Sequence, residues 1–286
     1  MNSYRTENYI KDKVIVITGA SSGFGKETAK KAAELGGKVV LAARREELLR
    51  EITQEIRESG GEASYIKTDV RVKDQVNAMA KFAVDTYGRI DVLVNDAGTM
   101  PLAYYSEHAI AMEAWEQSIA TAINGTLYGI AAVYDQMIEQ GQGHIVNISS
   151  ILGNYPVSGC GVYNVTKAAV RMLGDSLRVE SRGKIKVTNI KPTSVANTGL
   201  VSTEVDYNAG LSGIYGKIID AFMGLAIPDR LDTESIHCFD FSPSILADNI
   251  IYAIDQPWGV NISELTVRAS GEAINFWSLL KSVIRP

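Results

Sequence analysis

Cysteine and histidine are scarce in this chain, and neither is grouped. The two cysteines among 286 residues, Cys160 and Cys238, lie far apart. They make no disulfide framework, and such sparing use fits a reducing compartment. The three histidines, His108, His144 and His237, show no metal-ligand spacing with them, so no metal site is expected. An excess of basic residues is also missing. A formal net charge of -5 and a pI near 5.4 give no electrostatic footprint for nucleic acid. No apolar run approaches the length of a membrane span. The opening MNSYRTENYIKDK lacks the apolar core of a signal peptide. The expectation is a soluble cytoplasmic protein with no membrane partner, no internal repeat and no low-complexity linker.

The composition, 46% hydrophobic and 21% charged, is that of an ordinary globular protein. The length allows one large α/β domain or two small ones. Short β-branched runs alternate with segments of helical period. The runs are 13–18, 38–42, 63–67, 90–94, 144–148, 186–190 and 265–267. Helical segments are expected at 26–35, 46–59, 74–87, from about Glu113, from Tyr163 to about Glu180, and at 244–254. Strands alternating with helices imply a parallel sheet covered on both faces. Ligands then bind beyond the carboxyl ends of the strands, where Gly19, Ala43, Asp69, Asn95, Ser150 and Pro192 all fall.

The first strand runs straight into Gly19-Ala20-Ser21-Ser22-Gly23-Phe24-Gly25 and then a helix. Strand, glycine turn and helix make a phosphate cradle. The glycines admit a pyrophosphate to the backbone, and the helix N-terminus offers free N–H groups. The second strand ends in Ala43-Arg44-Arg45. An acid there would select NAD. Guanidinium groups suit a 2′-phosphate, so NADP(H) is expected, although both arginines could instead pair with Glu46 and Glu47.

The run from His144 to Lys167 carries the chemistry. Ser149 and Ser150 close a strand. Tyr163 and Lys167, at i and i+4 of the next helix, share a face. A tyrosine with an ordinary pKa of about 10 is a poor base at neutral pH. A nearby ammonium favours the phenolate, so Lys167 is expected to lower the value for Tyr163. A serine hydroxyl can hold a substrate oxygen, and the set suits proton transfer to a carbonyl or alcohol oxygen. Asn124-Gly125 interrupts a helical run and should weaken it, which makes Asn124 either a local defect or a functional residue.

Taken together and in order, Thr18-Gly19-x-x-x-Gly23-x-Gly25, Asp69-Val70, Asn95-x-Ala97-Gly98, Asn124, Ser150 and Tyr163-x-x-x-Lys167 resemble the short-chain dehydrogenase/reductases. The likeness extends over roughly residues 10–270 and is to the compact, NADP-dependent type. It implies a single-domain, doubly wound α/β Rossmann fold of three layers. Residues 1–12 would be an extension, 13–270 the catalytic domain with a substrate lid at about 199–240, and 271–286 a tail.

The resemblance implies that Tyr163 is the general acid/base. Lys167 holds the nicotinamide ribose, Ser150 rather than Ser149 positions the substrate oxygen, and Asn124 holds a relay water. Cofactor contacts fall to Gly19, Ser21, Ser22, Gly23, Phe24 and Gly25 at the turn, and to Arg44 and Arg45 at the ribose. Further contacts are expected from Asp69 and Val70, from Asn95, Ala97 and Gly98, and from Pro192, Thr193 and Val195 beside Tyr163 and Lys167.

The chain departs from the family pattern at Asp96, where a second asparagine is usual, at Thr193, and at Asn197. Ile214, Ile218 and Phe222, with Tyr215, Ile219 and Met223, suggest an apolar lid over a bulky carbonyl or alcohol. The tail places Ile274, Trp277, Leu280 and Ile284 on one helical face, suiting docking or a subunit contact. A homodimer or homotetramer is expected. A nucleotide-binding sensor or scaffold without turnover is the alternative, and an epimerase or dehydratase on the same fold a third.

Overall fold

The computed structural model describes residues 7–195, 232–236, 238 and 240–271. Of the lid expected at about 199–240, residues 199–231, 237 and 239 lie outside the described residues, as do Asn197 and tail residues 272–286.

Seven parallel strands form one sheet in the order β3-β2-β1-β4-β5-β6-β7. They are β1 (Val14–Thr18), β2 (Lys38–Ala43), β3 (Glu62–Lys67), β4 (Val92–Asn95), β5 (Gly143–Ile148), β6 (Ile185–Pro192) and β7 (Glu264–Val267). The helices between them are α1 (Gly23–Glu34), α2 (Glu46–Glu58), α3 (Lys73–Tyr87), α4 (His108–Ile119), α5 (Gly125–Glu139), α6 (Gly161–Glu180) and α7 (Pro243–Ile254). Strand order reverses between β1 and β4, the switch point at which a doubly wound sheet opens its ligand crevice.

Two apolar layers sandwich the sheet. One packs Ile15, Ile17 and Val39 against α1, α2 and α7. The other packs Val16, Val40 and Leu93 with Met79, Val133 and Met137 of α3 and α5. Because both faces are covered, β1, β5 and β6 are buried along their whole length; β1 reads as a continuous β-branched run, whereas β5 and β6 also bury polar residues such as His144, Asn147, Lys186 and Asn189. The chain before β1 joins this body. Ile10 is fully buried, and the Tyr9 N–H donates to Asp255.

Three local features differ from the sequence expectation. β6 runs two residues further, through Pro192, because Lys191 and Pro192 pair with Thr266 and Val267 of β7. Proline is tolerated at such a strand end, where its missing N–H costs little. α4 starts at His108 after a 3₁₀ turn, Tyr105–Glu107, where the Glu107 carboxylate accepts from the Tyr104 N–H. The helical run holding Asn124 does not break. It widens into a π-turn over Ala120–Asn124 and resumes as α5. Gly125 sits where a Cβ would meet Val70 Cγ2 at 2.8 Å, so its small size lets the segment after β3 close on the bulge.

Candidate active site

The glycine turn is built by backbone packed on backbone. Gly19 has φ +71°, and a Cβ there would stand 2.9 Å from the Ala97 nitrogen. A side chain at this position would be both strained and in collision. A Cβ on Gly25 would stand 2.9 Å from the Ala20 Cα. Thr18 ties this turn to the next strand end: its hydroxyl donates to the Val94 carbonyl and accepts from the Asp96 and Ala97 N–H groups. Through Gly19 and Gly25, the turn that leads Ser21, Ser22, Gly23 and Phe24 into α1 packs on Asp96 and Ala97, and a Cβ on Gly98 would stand 3.4 Å from Lys167 Nζ. This glycine-only cradle at a helix N-terminus fits a dinucleotide pyrophosphate.

Arg45 folds back over the turn. Its guanidinium donates to Ser21 Oγ at 2.9 Å and to Ser22 Oγ at 2.7 Å. The arginine thus points at the cradle rather than at Glu46 or Glu47, and Glu47 pairs instead with Arg50. Arg44 is exposed and acts electrostatically on Asp69. Asp69 is held by a bidentate pair with Arg71, which depresses its pKa, while its N–H donates to Gln75. Val70 is buried against Gly125.

Asn95, at the end of β4, donates to Asn147 Oδ1 at 2.9 Å, and Asn147 donates to Asn189, which donates to Asp175 of α6. This amide ladder crosses β4, β5 and β6 beneath the site. Gly129 and Gly174 approach it so closely that a Cβ on either would stand 2.6 Å from an amide atom. Asn95 is thus occupied inside the sheet, and its side chain orders the strands that carry the site.

At the end of β5 the two serines separate. The Ser149 hydroxyl donates to the Lys167 carbonyl at 2.7 Å, fastening β5 to α6. The Ser150 hydroxyl accepts from the Leu152 N–H and hydrogen-bonds the Tyr163 phenol. Lys167 Nζ donates to the Ile148 carbonyl at 2.8 Å and lies 5.7 Å from the Tyr163 ring centroid. Tyr163 and Lys167 are 4% and 5% exposed. The π-turn carrying Asn124 packs against α6.

Burial governs the charges here, and it corrects one expectation. Tyr163 is pushed up to about 12 by burial, with the Ser150 hydrogen bond pulling the other way and Cys160 adding to the rise. Lys167 does not bring it down. Its own pKa falls to about 8 because its ammonium is buried, with Asp96 partly offsetting the fall. Cys160 is likewise pushed up by burial, to about 11, and remains a packed thiol. Asp96, flagged in the sequence only as a departure, stands among these groups. Burial raises it to about 7 against the opposing effects of Lys167 and the Gly25 N–H.

On the far side, Pro192 ends β6, and the Thr193 hydroxyl accepts from the Ala269 N–H. Val195 bridges to Phe241. The loop after β4 closes over the start of α6. The Ala103 N–H donates to Gly159, and a Cβ on Gly161 would stand 2.7 Å from the Tyr105 hydroxyl. The Tyr105 turn thus packs against the start of α6, two residues before Tyr163, a juxtaposition with no local sequence signal. No cluster of potential metal ligands occurs among the described residues.

Comparison with known proteins agrees with this architecture. The family model for short chain dehydrogenases matches residues 13–208. An uncharacterized oxidoreductase of Listeria monocytogenes is 40% identical over 263 residues, covering 90% of this chain and 96% of that protein. A serine dehydrogenase solved in closed form with NADP+ is 30% identical with a TM-score of 0.73, covering 89% of this chain and 94% of that one. A variant of actinorhodin polyketide ketoreductase solved with NADPH is also 30% identical, with a TM-score of 0.77 and coverage of 91% and 97%.

Proposed function

The chain belongs to the short-chain dehydrogenase family of pyridine-nucleotide oxidoreductases, and from that premise we propose that it uses NADP(H) to interconvert a carbonyl compound and its alcohol. The observation that carries this reading is the Tyr163–Ser150 hydroxyl pair beside Lys167, in the crevice that the glycine turn opens. When bound, the cofactor would supply hydride exchange with the carbonyl carbon. The protein would supply position and the proton.

The Tyr163 phenol, raised to about 12, holds its proton at neutral pH, the form that donates to a carbonyl oxygen as it is reduced. Ser150 would hold that oxygen through the hydroxyl it now shares with Tyr163. Lys167, fixed by the Ile148 carbonyl, would present its ammonium to the ribose beside the tyrosine. Asn124, in the π-turn against α6, would anchor a water behind Lys167. Arg45, with Ser21 and Ser22, forms a donor cluster suited to a 2′-phosphate, and the NADP-bound relatives support that choice. Tyr105 and Trp115 meet edge to face, 5.9 Å apart, in the segment after β4, and this aromatic pair beside the start of α6 favours a substrate with apolar bulk. Exposed Ile110, Met112, Leu127 and Met172 on α4, α5 and α6 support a homo-oligomer, which a mass measurement in solution tests.

The test follows absorbance at 340 nm with NADPH and NADH, ketones and aldehydes graded in size, and Tyr163→Phe beside the parent. NADPH oxidation by the parent and not by the variant is expected, with the larger ketones turning over faster. An NADPH-to-NADH efficiency ratio at or below one would overturn the cofactor assignment. Tight NADPH binding without turnover in either direction would favour a sensor role.

A further inference from the structure

The carboxyl of Asp96 stands inside the phosphate cradle. It accepts the Gly25 N–H, at the N-terminal end of α1. Its Oδ2 lies 2.9 Å from where a Gly25 Cβ would be. Its own backbone N–H is held by the Thr18 hydroxyl at the end of β1. From α6 it faces the Lys167 ammonium, with the Tyr163 phenol beyond, and each of Asp96 and Lys167 favours the charged form of the other. From β1 and the glycine turn it meets neutral groups, the Thr18 hydroxyl and backbone amides. A carboxylate here occupies the positive helix end that a pyrophosphate would use, and two anions cannot share it without cost.

We propose that Asp96 is a proton-linked positioning residue, which takes up a proton from solution as the anionic dinucleotide docks on the glycine turn. This rests on the cofactor reading above. The protonated acid removes the repulsion, and the Lys167 ammonium, still held by the Ile148 carbonyl, then faces the ribose without a competing carboxylate. The carboxyl titrates at about 7 before docking, so the coupling falls in the neutral range. A neighbouring anion raises that value further, so proton uptake begins near pH 7 and extends above it. The sign follows: affinity for the dinucleotide is greatest at low pH and weakens as pH rises through neutrality.

The experiment is calorimetric titration of the full chain with NADPH, and with NADH, which lacks the 2′-phosphate that itself ionises near neutrality. Parent and Asp96→Asn are compared between about pH 6 and pH 8.5. Each is run in two buffers of different ionisation enthalpy, which counts protons taken up. The amide keeps an acceptor for the Gly25 N–H and removes the titration. The parent's Kd is expected to rise about tenfold across this range, the equivalent of one pKa unit, with net proton uptake. In Asp96→Asn the rise shrinks to what the nucleotide and Lys167 contribute, and the uptake falls. Equal pH slopes in parent and variant would overturn the proposal, because a merely structural role lowers affinity alike at every pH. Should the variant fail to fold, the parent decides alone: NADH binding with no proton uptake overturns it. Absence of binding by either nucleotide at every pH would instead overturn the cofactor reading, and this proposal with it.

Discussion

Lys167 donates its ammonium to the carbonyl of Ile148 at 2.8 Å, so the last residue of β5 dictates where the charge of α6 points. Neither residue could do this alone. The strand end provides an acceptor, and burial of the helix face removes the water that would otherwise compete for the ammonium.

Burial lowers Lys167 to about 8, so its charge is complete near pH 6 and is lost as pH rises through 8. If the ammonium is needed, kcat/KM for carbonyl reduction falls on the alkaline side from about pH 8, up to tenfold per pH unit. A rate profile that stays flat to pH 10 would remove Lys167's charge from the mechanism.

The two serines separate by function. Ser150→Ala removes the hydroxyl paired with Tyr163, and turnover should drop at least tenfold with little change in melting temperature. Ser149→Ala removes the bond to the Lys167 carbonyl, and stability should drop by about 1–2 kcal/mol, read by thermal or urea unfolding. Interchanged phenotypes would mean that the wrong hydroxyl has been assigned to the substrate.

Gly174→Ala provides a test of the amide ladder. On helix propensity alone the change should stabilise α6 by roughly 1 kcal/mol. The new Cβ, however, would stand 2.6 Å from both Asn147 Nδ2 and Asn189 Oδ1, deep in the structure. Overpacking of this kind costs about 1–3 kcal/mol, so a lower melting temperature is expected despite the better helix former. An unchanged or higher melting temperature would show that the ladder yields easily.

Arg45→Ala should raise KM for NADPH by tenfold or more and leave KM for NADH nearly unchanged. Its guanidinium is aimed through Ser21 and Ser22 at the place a 2′-phosphate would take. Parallel losses with both nucleotides would make Arg45 a brace for the glycine turn rather than a selector.

The extent to which the molecule could be read in advance varied with how local the cause was. The strands are legible because a sheet buried on both faces favours apolar, β-branched runs, and Val14–Thr18 is one. The interruption at Asn124-Gly125 was legible as a weak point, but not as a π-turn, since the wider turn depends on packing against α6 and Val70. The extension of β6 through Pro192 was hidden because its partner, Val267, lies far along the chain. Ser149 and Ser150 are adjacent and chemically alike. The alternation of the strand sends one hydroxyl to the helix backbone and the other to the phenol.

The sequence by itself determined the order of the layers, the glycine turn and the set of side chains gathered at the strand ends, because these depend on residue type, spacing and backbone freedom. Only the tertiary structure decided the charges. A tyrosine and a lysine four residues apart suggest a lowered phenol. In the folded protein, the walls of the crevice strip water from both and drive the phenol up and the ammonium down. Whether Asp96 is an anion depends likewise on Gly25, Lys167 and the depth of the site, three things that chain neighbours do not encode.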